Sequence, residues 1–102
     1  NYPLKTGLIA EIGSGHPIIT LRADIDALPI KEKTGLPYAS DNGAMHACGH
    51  DGHTAMGLTV AKILAQIKEQ LHGTIKLIFQ PAEEGVRGAK SIALSGGRRG
   101  RL

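Results

Sequence analysis

Residues Thr54 to Phe79, TAMGLTVAKILAQIKEQLHGTIKLIF, change their periodicity partway along. Up to Leu71 the apolar residues Met56, Val60, Ile63, Leu64, Ile67 and Leu71 recur at steps of three and four, with Lys62, Gln66, Glu69 and Gln70 between them. That spacing predicts an amphipathic helix over 54–71 that buries one face. Gly73 suits its C-terminal stop, and Thr74 to Phe79 then reads as a strand running into Pro81.

Upstream, Gly7 to Ile12 and Pro17 to Ala23 read as short strands around a Gly13-Ser14-Gly15-His16 turn, which predicts a hairpin. Leu28 to Gly43 carries Pro29, Gly35, Pro37 and Gly43 without helical period and is expected to be an irregular connection. Such long loops often carry function. Downstream, Gly85 to Leu94 has Val86, Ala89 and Ala93 on one side of a further expected helix. The order strand, strand, helix, strand predicts an α/β layered domain over residues 1–94, followed by a Gly/Arg tail over 95–102 expected to be disordered. A chain of 102 residues allows one modest core at most.

The formal charge of +3 is concentrated at one end. Arg98, Arg99 and Arg101 account for three of the twelve basic residues, leaving nine against nine acids, so the body is neutral. A nucleic-acid surface needs basic residues clustered on one face, and three aromatics are few for base stacking, so no nucleic-acid partner is expected. Binding of an acidic polymer through the Arg tail is a weaker reading. No apolar run approaches the roughly 20 residues of a membrane span, so no membrane partner is expected either. The single cysteine, Cys48, excludes an intrachain disulfide, which fits a reducing compartment and predicts a cytoplasmic location.

Three of the five histidines, the cysteine and an aspartate fall within His46-Ala47-Cys48-Gly49-His50-Asp51-Gly52-His53. Thiolate and imidazole are preferred ligands of zinc and related ions, and the glycines permit a backbone path on which Cys48 and His50 turn toward one ion. The plain alternative makes Cys48 a small core residue, the histidines helix caps and Asp51 a favourable charge at a helix N-terminus. For any one residue alone the plain reading is favoured; for the whole set the metal reading is. A structural zinc finger wants paired ligands across a spacer, and one cysteine does not supply them.

Gln80-Pro81-Ala82-Glu83-Glu84-Gly85 follows a strand directly. Adjacent carboxylates on an irregular turn face different ways, so one can ligate a cation while the other acts as general base; the plain alternative is two exposed acids in a first helical turn. Asp24 and Asp26, in Arg22-Ala23-Asp24-Ile25-Asp26, alternate at a strand end and point the same way if the strand extends that far. Paired acids of this kind can orient a histidine ligand or reach a metal through its outer shell.

With LRADIDALPI from Leu21, MHACGHDGHTA from Met45 and IFQPAEEG from Ile78 in this order, the chain resembles the aminoacylase-like metal-dependent amidohydrolases, a family including hippurate hydrolase, auxin-conjugate hydrolases and N-acetyl-diaminopimelate deacetylase. The likeness runs from about Thr6 to about Ala93. It implies the N-terminal part of a metallopeptidase-like catalytic domain, a mixed sheet flanked by helices, that hydrolyses the amide bond of N-acyl amino acids or short peptides. It further implies two divalent ions, Mn2+, Zn2+, Co2+ or Ni2+, with Cys48, His50 and Glu84 as ligands, a thiolate being able to bridge both. Glu83 becomes the general acid/base, and Asp26 or Asp24 the residue that orients the site. Family members supply two further histidine ligands from later segments, one in a dimerisation-domain region, and His16 and His72 do not match them. The expectation is therefore a segment inactive alone, from an enzyme that can dimerise through a domain absent here. The competing expectation is a noncatalytic metal-binding or interaction module.

Overall fold

The computed structural model describes residues 6–85. Strand β1 (Leu8–Ser14), strand β2 (Ile18–Asp24), helix α1 (His50–Gln66), a 3-10 turn (Lys68–Gln70) and strand β3 (Gly73–Gln80) form a three-stranded mixed sheet with one helix against it. The sheet order is β1-β3-β2, with β1 antiparallel and β2 parallel to the central β3. The α/β class and mixed sheet agree with the sequence. The predicted helix over Gly85 to Leu94, except Gly85 itself, and the tail over 95–102 lie outside the described residues.

The expected hairpin does not form. β1 and β2 both pair with β3 instead of with each other. The connection between them spans the start of β3, where Thr74 N–H donates to the Pro17 carbonyl at 2.9 Å and Thr74 Oγ1 to the Gly15 carbonyl at 2.8 Å. Gly73 makes that crossing fit: its φ is 112°, and a Cβ there would lie 2.3 Å from the Pro17 oxygen. β3 is the most buried of the three strands, so flanking it on both edges hides more apolar surface than a two-strand ribbon would.

β2, α1 and β3 make a parallel strand-helix-strand unit, with the helix serving as the crossover that parallel pairing requires. The register aligns Ala10 with Leu77 and Leu77 with Leu21, and Ala23 with Phe79. Ala23, Leu77 and Phe79 are buried together, with Ala10, Ile12, Ile25, Ala61 and Ile75 packed around them.

The helix begins at His50, four residues earlier than predicted, and ends at Gln66. The face it turns inward also differs from the prediction. Thr54, Gly57, Ala61 and Leu64, at steps of three and four, are half-buried, whereas Met56 is 60% and Ile63 53% exposed, and Val60 and Ile67 are exposed as well. Small residues win the contact because they let the axis come close to the sheet: a Cβ on Gly57 would lie 2.9 Å from Phe79 Cε1 and 3.2 Å from Ala23 Cβ. Met56, Val60, Ile63 and Ile67 lie off that face, and Leu64 is the one large apolar residue on it.

The connection from Ile25 to Gly49 is irregular, as expected, and is pinched shut by a Leu28–Met45 bridge with hydrogen bonds of 3.0 and 2.9 Å. This closure delivers Cys48 and His50 to the same end of the sheet at which β2 and β3 terminate.

Candidate metal centre

Parallel strands open at their C-terminal ends, and there β2 runs into Asp24 and Asp26 while β3 runs into Glu83 and Glu84. The N-terminus of α1 closes the third side. Its N-cap, Gly49, has φ 94°, a left-handed conformation that glycine adopts without cost and that swings Cys48 back toward His50. Ala82 has φ 53°, the only positive φ outside glycine among the described residues. That strain sits in the turn directly before Glu83 and Glu84, where it sets their direction.

One ligating atom each from Cys48, His50 and Glu84 lie within 4.8 Å of one another. The same holds for Asp24, His50 and His53. His50 is common to both groups and is buried, at 3% exposure, while Cys48 and Glu84 face solvent. Its ring is firmly held: Nδ1 lies 3.1 Å from both the carbonyl oxygen and Oδ1 of Asp26. Because both partners are acceptors, Nδ1 carries the proton and donates. Nε2 therefore presents its lone pair toward Glu84, 4.0 Å from Oε1. This is the tautomer and orientation a histidine ligand needs.

Burial alone would lower the His50 pKa, but the Asp24 charge and the hydrogen bonds to Asp26 outweigh it and hold it above the ordinary value. Burial works against the charge on Asp26, yet the backbone N–H groups of Glu84 and Glu83, together with His50, keep its carboxyl below the usual range. The Glu84 N–H donates to Asp26 Oδ2 at 3.1 Å. Asp24 is lowered mainly by its hydrogen bond with His53, against the opposing effect of burial. Cys48 is raised by hydrogen bonding to Glu84, by burial and by the charges of Glu84, Glu83 and Asp24. The thiol thus sits in a negative field that a cation would relieve.

The donor set fits a divalent transition ion. Bonds of about 2.0–2.3 Å in tetrahedral geometry put ligand atoms roughly 3.3–3.8 Å apart, so a group within 4.8 Å needs only a small contraction. The sequence-selected residues are brought together, with two refinements. Asp26 rather than Asp24 touches Nδ1 of His50, and Glu83 is exposed outside both groups of donors. Sequence reasoning gave His53 no role of its own and passed over Arg22 and Gln80. The three-residue spacing of His50 and His53, which puts both on one face of a helix, was the available signal for His53.

The family model for peptidase family M20/M25/M40 matches residues 20–101, and the chain belongs to that family. It is 54% identical over 96 residues to N-acetylcysteine deacetylase of Bacillus subtilis (strain 168), covering 91% of this chain and 25% of that protein. It is also 54% identical over 93 residues to IAA-amino acid hydrolase ILR1-like 5 of Arabidopsis thaliana, covering 89% of this chain and 21% of that one. Among solved structures it is similar to a dinuclear metal-binding peptidase of the M20 family from Bacillus subtilis, with TM-score 0.87 and 53% identity over 95% of this chain and 28% of that one. The chain thus spans about a quarter of the length of the proteins it matches.

Proposed function

We propose that this segment supplies the metal-ligating and proton-transferring residues of an amidohydrolase that cleaves the amide bond of N-acyl amino acids. The observation that carries the reading is the convergence of Cys48, His50 and Glu84, with His50 held by Asp26 in the ligating tautomer. The relatives' names support the bond type: N-acetylcysteine, IAA-amino acids and p-aminobenzoyl-glutamate each join an acyl carbonyl to an amino-acid nitrogen.

Cys48, His50 and Glu84 would hold divalent ions, two in the complete site, drawn from Mn2+, Zn2+, Co2+ and Ni2+. When bound, such ions polarise a carbonyl and lower the pKa of water toward neutrality. Glu83, next to a ligand yet free of the donor groups, takes the proton of the attacking water and returns it to the leaving amine nitrogen. Asp26 keeps the proton on Nδ1 of His50 throughout, so Nε2 stays available as a ligand. Asp24 supports the site from its other side.

The activity is proposed for a polypeptide of the relatives' length carrying this segment, placed in the cytoplasm and able to form a homodimer. Among the described residues the best group offers three donors, so this segment by itself holds an ion weakly and turns over slowly. The test is hydrolysis of N-acetyl and N-benzoyl amino acids by such a full-length protein, with and without a chelator. Release of the free amino acid that stops on chelation and returns with added metal is expected. Release insensitive to chelation, or none for any N-acyl amino acid, would overturn the reading.

A further inference from the structure

A second polar network lies beside the proposed ligands. Arg22 Nε donates to Gln80 Oε1 at 2.6 Å, and Arg22 Nη2 donates to Asp24 Oδ2 at 3.2 Å. His53 Nδ1 lies 2.5 Å from Asp24 Oδ1. Gln80 is buried at 4% exposure, and the Asp24 side chain is largely covered, at 13%. The chain of contacts therefore ties the ends of β3 and β2 to the first turn of α1.

Both oxygens of Asp24 are engaged, one by His53 and one by Arg22. An ionised carboxylate only accepts, so the His53 nitrogen facing it carries a proton and donates. Held this way, Asp24 keeps Oδ2 3.8 Å from Nε2 of His50, the nitrogen that carries the lone pair. The His53 ring also stacks on the His50 ring, with centroids 5.7 Å apart and planes 21° apart. His50 is thus fixed at Nδ1 by Asp26, and its ligating side is faced by a carboxylate that His53 and Arg22 hold still.

We infer that His53 is a positioning residue of the metal centre: its Nδ1–H holds the Asp24 carboxylate beside the ligating nitrogen of His50, and so strengthens cation binding without touching the ion. The inference rests on the metal reading of Cys48, His50 and Glu84. Outer partners of metal-ligating histidines are commonly worth 10- to 100-fold in affinity.

Two substitutions separate the hydrogen bond from the stacking. His53→Asn places an amide N–H about where Nδ1–H was but removes the ring, and His53→Phe keeps a ring but removes the donor. The readout is cobalt affinity of this chain from its absorption spectrum, with helix content checked by circular dichroism. We expect His53→Phe to weaken cobalt about 10-fold and shift the cobalt bands, while His53→Asn stays within about 3-fold of wild type. Wild-type affinity in His53→Phe, or equal loss in both variants, would overturn the role of the donor. Absence of cobalt binding in the wild type would remove the underlying metal reading as well, and so is distinguishable from failure of the His53 inference alone.

Discussion

Asp26 meets Nδ1 of His50 with two acceptors at once, its carbonyl oxygen and its Oδ1, each at 3.1 Å. The same carboxylate accepts the Glu84 N–H through Oδ2, so one side chain fixes the tautomer of one proposed ligand and the backbone of another. Asp26→Asn can turn its NH2 toward His50 and favour the wrong tautomer. Metal affinity should fall about 10- to 100-fold, as for other outer partners of histidine ligands. Isothermal titration of zinc or cobalt checks this, and unchanged affinity would detach Asp26 from the site.

The two adjacent glutamates should separate by metal content. In a full-length enzyme, Glu83→Gln removes the basic oxygen while Glu84 stays, so metal stoichiometry should persist and kcat should fall toward the upper end of the roughly 10²- to 10⁴-fold range typical of acid/base groups. Glu84→Gln should instead lose metal together with activity and recover part of both in excess metal. Metal analysis beside kinetics decides it; the reverse pattern would exchange the roles.

Packing of α1 predicts opposite outcomes for two glycines on the same helix. A Cβ at Gly57 meets Phe79 at 2.9 Å, whereas nothing lies within 4 Å of one at Gly52. Overpacking costs about 1–3 kcal/mol, against about 1 kcal/mol gained in helix propensity. Gly57→Ala should therefore be destabilising by about 1 kcal/mol, and Gly52→Ala stabilising by about 0.5 kcal/mol. Urea unfolding of the two variants tests the sign of each.

Glu32 offers a titration remote from the ligands. Its Oε1 accepts from Thr34 Oγ1 at 2.6 Å and its Oε2 from Ser40 N–H at 2.8 Å, and these bonds hold its carboxyl below the ordinary glutamate range. The depressed folded value means that the bonds stabilise the loop above the unfolded pKa and cease to do so as pH falls through the folded one. The Ser40 amide proton resonance should move with a midpoint below the ordinary glutamate range, and Glu32→Gln should abolish the movement. A midpoint at or above the ordinary glutamate value would mean that the bonds do not form in solution.

The strands, the helix and the irregular 28–43 stretch were legible in the sequence because each depends on local period or on Gly and Pro. Pairing was not. The Gly13 to His16 turn looks like a hairpin turn, and nothing local reveals that β3 inserts between the strands it joins. The inward face of α1 was misread for a related reason: periodicity follows the large apolar residues Met56, Val60 and Ile63, while contact with the sheet is made by Gly57 and Ala61. The grouping of the candidate donors was more legible than the pairing, since one thiol and three imidazoles within eight residues stand out in a chain with one cysteine and five histidines. The choice between Asp24 and Asp26 required the side-chain geometry, because alternation on a strand treats them alike.

The central claim is that Cys48 and His50 bind one ion, and cobalt titration monitored in the near ultraviolet tests it most directly. The hydrogen bond to Glu84 and the neighbouring carboxylates push the Cys48 thiol up from its ordinary value, so a cation that binds the thiolate has to displace its proton. The account predicts a thiolate-to-cobalt charge-transfer band in the wild-type chain that saturates with added cobalt and is absent in Cys48→Ser. A band that persists in Cys48→Ser, or no band in the wild type at saturating cobalt, would contradict it.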